Sequence, residues 1–175
     1  MYREIGKAIQ PKLEGRILEI SGIDNFRQWI EPRGSQVLDV QYPEVDIQNL
    51  PFAQVIHSVA DPRQALAEAF RVLKKGGIGI HTTRAYGSPC PHPVDYFRFT
   101  RDGLIVCCPA DVEVIQAATW GNRFALGLML LHDHFFRYLR IPDRPSIRRW
   151  LATYNEEHFP IHTWIVARKA TSVGA

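Results

Sequence analysis

Short apolar runs alternate with amphipathic stretches along the chain. Residues 16–20 and 36–40 are compact runs rich in β-branched side chains and are predicted to be strands. A short helix is predicted near residues 25–30 between them, and the apolar spacing within residues 2–13 predicts a helix before the first strand. A strand, a helix and a second strand in this order indicate the start of a βαβ unit.

The clearest helix signal begins at Asp61. It is followed by a proline at the first helical position and by Gln64 at the third, which is the pattern of a capping box. Gly76 and Gly77 are predicted to end this helix in a left-handed conformation. Its predicted buried face consists of Ala65, Leu66, Ala69, Phe70 and Leu73.

The second half of the chain continues the alternation of strands and helices. Residues 84–99 hold several prolines and glycines and are predicted to form a long loop. The pattern predicts one α/β domain over residues 1–175, with a mostly parallel sheet that carries helices on both faces and binds ligands beyond the carboxyl ends of its strands. The predicted strands are 77–83, 113–118 and 161–168, and the predicted helices are 101–108, 122–139 and 146–156.

Composition narrows the class of protein. With 175 residues, of which 46% are hydrophobic and 22% charged, the chain is expected to be globular, which excludes fibrous and disordered proteins. The longest apolar run, residues 124–131, is too short to span a membrane, and residues 1–7 mix charges where a secretion signal would have an apolar stretch. We therefore expect a cytoplasmic protein without a membrane partner.

The charge is unevenly distributed. A net charge of +3 is too small to favour nucleic acid as a partner, but residues 137–149 carry five arginines against one aspartate, a local charge of +4. A solvated face is the default interpretation of this segment. Contact with phosphate or carboxylate groups of a substrate or partner is the alternative.

The cysteines indicate neither a disulfide framework nor a metal site. Cys90, Cys107 and Cys108 are odd in number, and an adjacent pair rarely bridges to itself, so reduced thiols are expected. Together with His92 they match no strong zinc spacing, and no metal is predicted.

Two stretches of sequence resemble a known family. Residues 55–77 read V-I-H-S-V-A-D-P-R-Q-A-L-A-E-A-F-R-V-L-K-K-G-G, and residues 95–104 read D-Y-F-R-F-T-R-D-G-L. They resemble the phrases V-L-E-H-V-x-D-P-x-x-A-L-x-E-x-x-R-V-L-K-P-G-G and D-Y-x-R-F-T-x-x-G-L of class I S-adenosylmethionine-dependent methyltransferases of the type 11-like branch. The resemblance extends over residues 15–169 and implies a Rossmann-like fold and methyl transfer.

The resemblance also implies a cofactor site for S-adenosylmethionine. It places Glu19, Ser21 and Gly22 at the glycine-rich turn and Asp39 on the ribose hydroxyls. The family turn reads E-x-G-x-G-x-G, whereas residues 19–25 keep only one glycine, so we expect weakened or lost cofactor binding. For Glu19, Ser21 and Gly22 the structural alternative is an ordinary strand-to-helix turn. For Asp39 it is a capped strand end. The resemblance adds Asp46, Leu50 and His57 to the cofactor-binding set. Asp46 either corresponds to the acidic residue on the adenine side or precedes its deleted equivalent. His57 either lies beside the methyl donor or forms a partly buried polar pair with Ser58 inside a recruited strand.

The chain is shorter than the family between Leu50 and Val55, where the family has an acidic link and a complete strand. The sheet then either has a gap or recruits residues 54–58. A gap would leave buried backbone groups unpaired, at about 1–3 kcal/mol each. We therefore expect residues 54–58 to form a strand beside residues 77–83.

The long loop is the predicted acceptor side. Methyl transfer from a sulfonium needs proximity and alignment, and needs a base only if the acceptor must lose a proton. His92, Asp95 and Tyr96 are the candidate catalytic residues, with Arg98 beside them. In the alternative interpretation, Tyr96 and Phe97 pack against the core and Asp95 pairs with Arg98.

The resulting functional prediction is a methyltransferase with a small-molecule or saccharide-type acceptor. The alternative is a catalytically silent protein of the same fold that serves in binding or oligomerisation. The loss of glycines from the turn at residues 19–25 favours this alternative. A homodimer is compatible with either prediction.

Overall fold

The computed structural model describes residues 17–20, 37–40, 59–87, 89, 94–131 and 144–171. Strands β1 (Ile17–Ile20) and β2 (Val37–Val40) pair in parallel, which confirms both predicted strands. The helices predicted within 2–13 and 25–30, and the strand predicted at 54–58, lie outside the described residues.

Helix α1 (Pro62–Val72) begins where the sequence predicts. The carboxylate of Asp61 accepts hydrogen bonds from the backbone N–H groups of Arg63 and Gln64, both at 3.0 Å. Such an N-cap stabilises a helix by about 1 kcal/mol. Four residues of the predicted inner face, Ala65, Leu66, Ala69 and Phe70, are buried, whereas Leu73 lies just beyond the helix and is partly buried.

The end of α1 is held by the last strand of the chain. Gly76 has the predicted left-handed conformation, with a φ of 77°, but it does not end the helix, because α1 already ends at Val72 with Leu73 in an extended conformation. The ammonium group of Lys169 donates to the carbonyl oxygens of Arg71 at 2.7 Å and Leu73 at 3.0 Å. A cation therefore satisfies carbonyl groups that the end of a helix leaves without partners.

The second sheet contains β3 (Ile78–Arg84), β4 (Val112–Trp120) and β5 (His162–Lys169) in the order β3-β5-β4. Both outer strands pair antiparallel with β5, so β3 and β4 run in the same direction. This part differs from the expected mostly parallel sheet. The alternation of strands and helices does not determine the direction in which the final strand enters the sheet.

Three further helices complete the described residues. Helix α2 (Arg101–Val106) begins at Thr100, whose hydroxyl accepts from the N–H of Gly103 at 3.1 Å, and it ends two residues before the predicted boundary. Helices α3 (Arg123–Leu131) and α4 (Ile147–Thr153) contact each other. No helix in these ranges is long and apolar enough to cross a membrane.

The core lies between the sheet and helices α1 and α2. Its buried residues come from α1, the segment before α2, α2 itself and β5, so elements distant in sequence meet on one face of β5. Burial of such side chains contributes about 1.5–3 kcal/mol each. They are Leu66, Phe70, Phe99, Leu104, Ile165 and Ala167.

Candidate functional site

The register of β1 and β2 places Glu19 directly beside Asp39. Each is the residue before the last of its strand. Because the strands are parallel, their carboxyl ends lie at one edge, which is where α/β sheets bind ligands. The structure thus brings two predicted cofactor residues to neighbouring positions. The other predicted cofactor residues lie outside the described residues, and so does the candidate catalytic residue His92. These cofactor residues are Ser21, Gly22, Asp46, Leu50 and His57.

The segment after the long loop returns to the end of β3. The N–H of Phe99 donates to the carbonyl of Arg84 at 3.2 Å, and the buried hydroxyl of Thr163 donates to the carbonyl of Phe99 at 3.0 Å. The N–H of Ala85 donates to the carbonyl of Ile161 at 2.9 Å. The predicted acceptor loop is therefore fixed at its end beside both β3 and β5.

Asp95 and Arg98 form a two-bonded ion pair. Arg98 donates to both carboxylate oxygens, with an Nη2 to Oδ2 distance of 2.5 Å, and the Asp95 side chain is only 1% exposed. The guanidinium also donates to the carbonyls of Phe97 at 3.1 Å and Gly87 at 3.4 Å. The predicted pairing is confirmed, although residues 95–100 form neither a helix nor a strand. Asp95 therefore serves to anchor the loop.

Tyr96 lies between these anchors and is 54% exposed. Its ring is 6.5 Å from that of Phe97, which is 5.7 Å from the ring of Phe99. Phe99 is buried in the core. The alternative interpretation, in which Tyr96 and Phe97 pack against the core, is wrong, because Phe99 occupies the core while Tyr96 and Phe97 are exposed. The phenol of Tyr96 is left accessible.

His81 is a partly buried titratable residue for which the sequence motifs indicate no role. It lies on β3, and its ring is 5.5 Å from that of Phe70. Loss of hydration on burial lowers the pKa of His81 to about 4, so the imidazole is neutral at physiological pH. Gly79, two residues earlier on the same face, makes room for Phe70. A glycine two residues before the histidine is the sequence feature that could have indicated a packed histidine here.

The described cysteines, Cys107 and Cys108, are free thiols. Burial raises the pKa of Cys107 and raises that of Cys108 to about 11, which disfavours the thiolate. Cys90 lies outside the described residues. Within the described ranges, no three His, Cys, Asp or Glu side chains form a group that could hold a metal ion.

Comparison with known proteins supports the family resemblance. Residues 11–80 match the family model of a methyltransferase domain. This region includes β1, β2 and α1, and it is shorter than the span over which the sequence motifs resemble the family. A search of curated proteins finds no match to this chain.

Two solved structures share the fold. The crystal structure of the [4+2]-cyclase SpnF superposes with a TM-score of 0.55 at 19% identity, covering 97% of this chain and 81% of that one. A Bacillus halodurans C-125 protein assigned as a methyltransferase superposes with a TM-score of 0.52 at 16% identity, covering 97% of this chain and 99% of that one. The methyltransferase resemblance is thereby confirmed for residues 11–80, and the α/β methyltransferase fold for the chain.

Proposed function

We propose that this protein is an S-adenosylmethionine-dependent methyltransferase for a small-molecule or saccharide-type acceptor. The observation that carries the proposal is the register of Glu19 and Asp39. They occupy neighbouring positions near the carboxyl ends of parallel strands, within the region that matches the methyltransferase-domain model. Carboxylates accept hydrogen bonds from hydroxyl groups, so two acidic residues at this edge fit a ligand with a ribose.

The chain would hold the cofactor through these two residues. When bound, S-adenosylmethionine supplies a methyl group made electrophilic by the adjacent sulfonium. Glu19 and Asp39 would fix the nucleoside part, so that Asp39 acts on affinity rather than on the reacting atoms. Fixing both reactants in one geometry is the main contribution that a protein makes to such a displacement.

Tyr96 is the residue best placed to meet the acceptor. Its neighbours on both sides are anchored, Asp95 by Arg98 and Phe99 by the core, while its own side chain stays accessible. A phenol can donate a hydrogen bond to an acceptor hydroxyl or accept one from it, and its ring can pack on a sugar. These properties suit a hydroxylated small molecule.

A catalytically silent protein of the same fold is the second candidate. The sequence of residues 19–25, with one glycine where the family has three, favours it. In addition, the fold is shared with a protein described as a [4+2]-cyclase, so the fold alone does not determine the reaction.

Titration calorimetry with S-adenosylmethionine and with its demethylated product tests the proposal. The methyltransferase account predicts binding of both. It also predicts release of the demethylated product when a panel of saccharides and small phenols is added. Binding without product release from any acceptor would favour the silent protein, and the absence of binding would overturn the proposed function.

A further inference from the structure

Helix α3 presents an apolar face to solvent. Phe124, Leu128 and Leu131 follow one another at spacings of four and three residues and therefore lie on one side of the helix. All three are exposed, and Leu131 is 75% exposed. Helices on a protein surface ordinarily place such a stripe against the core, so this arrangement needs an explanation outside the chain's own core.

Helix α4 repeats the pattern. Ile147, Trp150 and Tyr154 lie at spacings of three and four residues, and Ile147 is 79% exposed. The rings of Trp150 and Tyr154 are stacked, with centroids 5.5 Å apart. An exposed tryptophan and tyrosine combine an apolar ring with a polar N–H or O–H, which suits the boundary between water and an apolar phase.

The two helices are joined by polar contacts. The buried amide of Asn122, just before α3, donates to the carbonyls of Leu151 at 3.0 Å and Tyr154 at 2.7 Å. Arg123 pairs with Glu156, with an Nε to Oε1 distance of 2.9 Å. The start of α3 is thus fixed beside the end of α4. We call the exposed set the α3–α4 surface, and it consists of Phe124, Leu128, Leu131, Ile147, Trp150 and Tyr154.

Positive charge adjoins this surface. Arg144 and Arg148 are exposed, and no carboxylate among the described residues pairs with either of them. The segment 137–149 has a charge of +4 in the sequence. Exposed apolar and aromatic groups beside arginines form the pattern of an amphipathic surface that binds anionic lipid.

We propose, in place of the expectation of no membrane partner, that the α3–α4 surface docks on an anionic membrane surface. Its apolar side chains enter the headgroup region, and Arg144 and Arg148 contact lipid phosphates. A second copy of the chain fits less well, because a symmetric contact would bring like charges together. A peptide in a groove also fits less well, because side chains exposed as far as Leu131 and Ile147 project from the surface.

Vesicle co-sedimentation tests this proposal. The intact protein is mixed at low salt with vesicles of phosphatidylcholine alone or with 30% phosphatidylserine, and we expect at least tenfold stronger binding to the anionic vesicles. The double variant Arg144→Gln/Arg148→Gln should weaken that binding roughly thirtyfold, at about 1 kcal/mol per arginine. Leu131→Ser/Trp150→Ser should also weaken it. Val106→Ser, which alters an exposed apolar residue on α2, is the matched control and should change nothing.

Light scattering of the same proteins shows whether a second copy of the chain occupies the α3–α4 surface. All of the substituted residues are exposed, so circular dichroism should confirm that each variant folds. Equal binding to neutral and anionic vesicles, or no binding to either, would overturn the proposal. If the intact protein is a dimer that Leu131→Ser/Trp150→Ser dissociates, and it does not bind vesicles, the surface belongs to a second copy.

Discussion

The guanidinium of Arg98 donates to both carboxylate oxygens of Asp95 while the Asp95 side chain is removed from solvent. Arg98 also reaches the carbonyl of Gly87, eleven residues earlier, so one side chain ties together the two ends of the candidate acceptor loop. Removing one partner of a buried ion pair is costly, because the other charge stays buried without compensation.

Arg98→Ala should therefore destabilise the protein by about 2–4 kcal/mol, measured by chemical denaturation at neutral pH. Adding Asp95→Asn to this variant removes the uncompensated charge and should recover part of the loss. If Arg98→Ala costs less than about 0.5 kcal/mol, the pair does not anchor the loop.

Some of these local features could be predicted from the sequence and others could not. The cap at Asp61 and the pairing of Asp95 with Arg98 depend on residues two to three positions apart, so their spacing carries the signal. The attachment of residues 95–100 to β3 and β5 was not predicted. It depends on contacts of Phe99 with Arg84 and Thr163, and the latter is 64 residues away.

The order and direction of the strands in the second sheet could not be predicted either, because they also depend on contacts between residues that are distant in the sequence. The apolar pattern located the strands to within about two residues, but the insertion of β5 between β3 and β4 depends on pairing between strands that are distant in the sequence. Of the candidate site, sequence order alone could place Glu19 and Asp39 near strand ends. Their direct register required the structure.

The folding stability should depend on pH through His81. Its pKa is about 4 in the folded protein and near 6.5 when unfolded, so the unfolded chain takes up the proton first as the pH falls. Above pH 7, protonation of His81 should not affect the free energy of unfolding. From about pH 6.5 to pH 4 this free energy should fall by roughly 3 kcal/mol, and below pH 4 His81 should cause no further loss.

The variant His81→Leu provides the control. It keeps an apolar neighbour for Phe70 but cannot titrate, so its denaturation free energy should fall less steeply between pH 6.5 and pH 4. An identical pH dependence in the two proteins would show that His81 is accessible to protons in the folded state.

Gly79→Ala should destabilise the protein by about 1–3 kcal/mol by overpacking the core. A Cβ atom there would lie 2.8 Å from Cε1 of Phe70, whose ring is buried and cannot move away freely. Gly127→Ala is the matched control, because nothing lies within 4 Å of the added atom. It should stabilise α3 by about 0.5–1 kcal/mol, since alanine favours a helix over glycine. Thermal denaturation that ranks the two variants in the opposite order would contradict the packing described here.

Tyr96→Phe should lower turnover about tenfold and leave the affinity for S-adenosylmethionine unchanged, because the hydroxyl would contact the acceptor and not the methyl donor. This prediction depends on the proposed function. Tyr86→Phe removes a similarly exposed hydroxyl at the other end of the loop and should affect neither quantity. Joint loss of turnover and cofactor affinity in Tyr96→Phe, or loss of neither, would place the acceptor elsewhere.

We propose that the paired ends of β1 and β2 bind S-adenosylmethionine, and calorimetric titration of the Asp39→Ala variant distinguishes this role from a purely structural one. Asp102→Ala, which removes an exposed carboxylate paired with Arg101, serves as the control. We expect the intact protein and Asp102→Ala to bind the cofactor with equal affinity. Asp39→Ala should bind it at least tenfold more weakly, because it loses charge-assisted hydrogen bonds of about 1.5–3 kcal/mol each. Equal affinity in all three proteins, or no binding by the intact protein, would contradict this proposal.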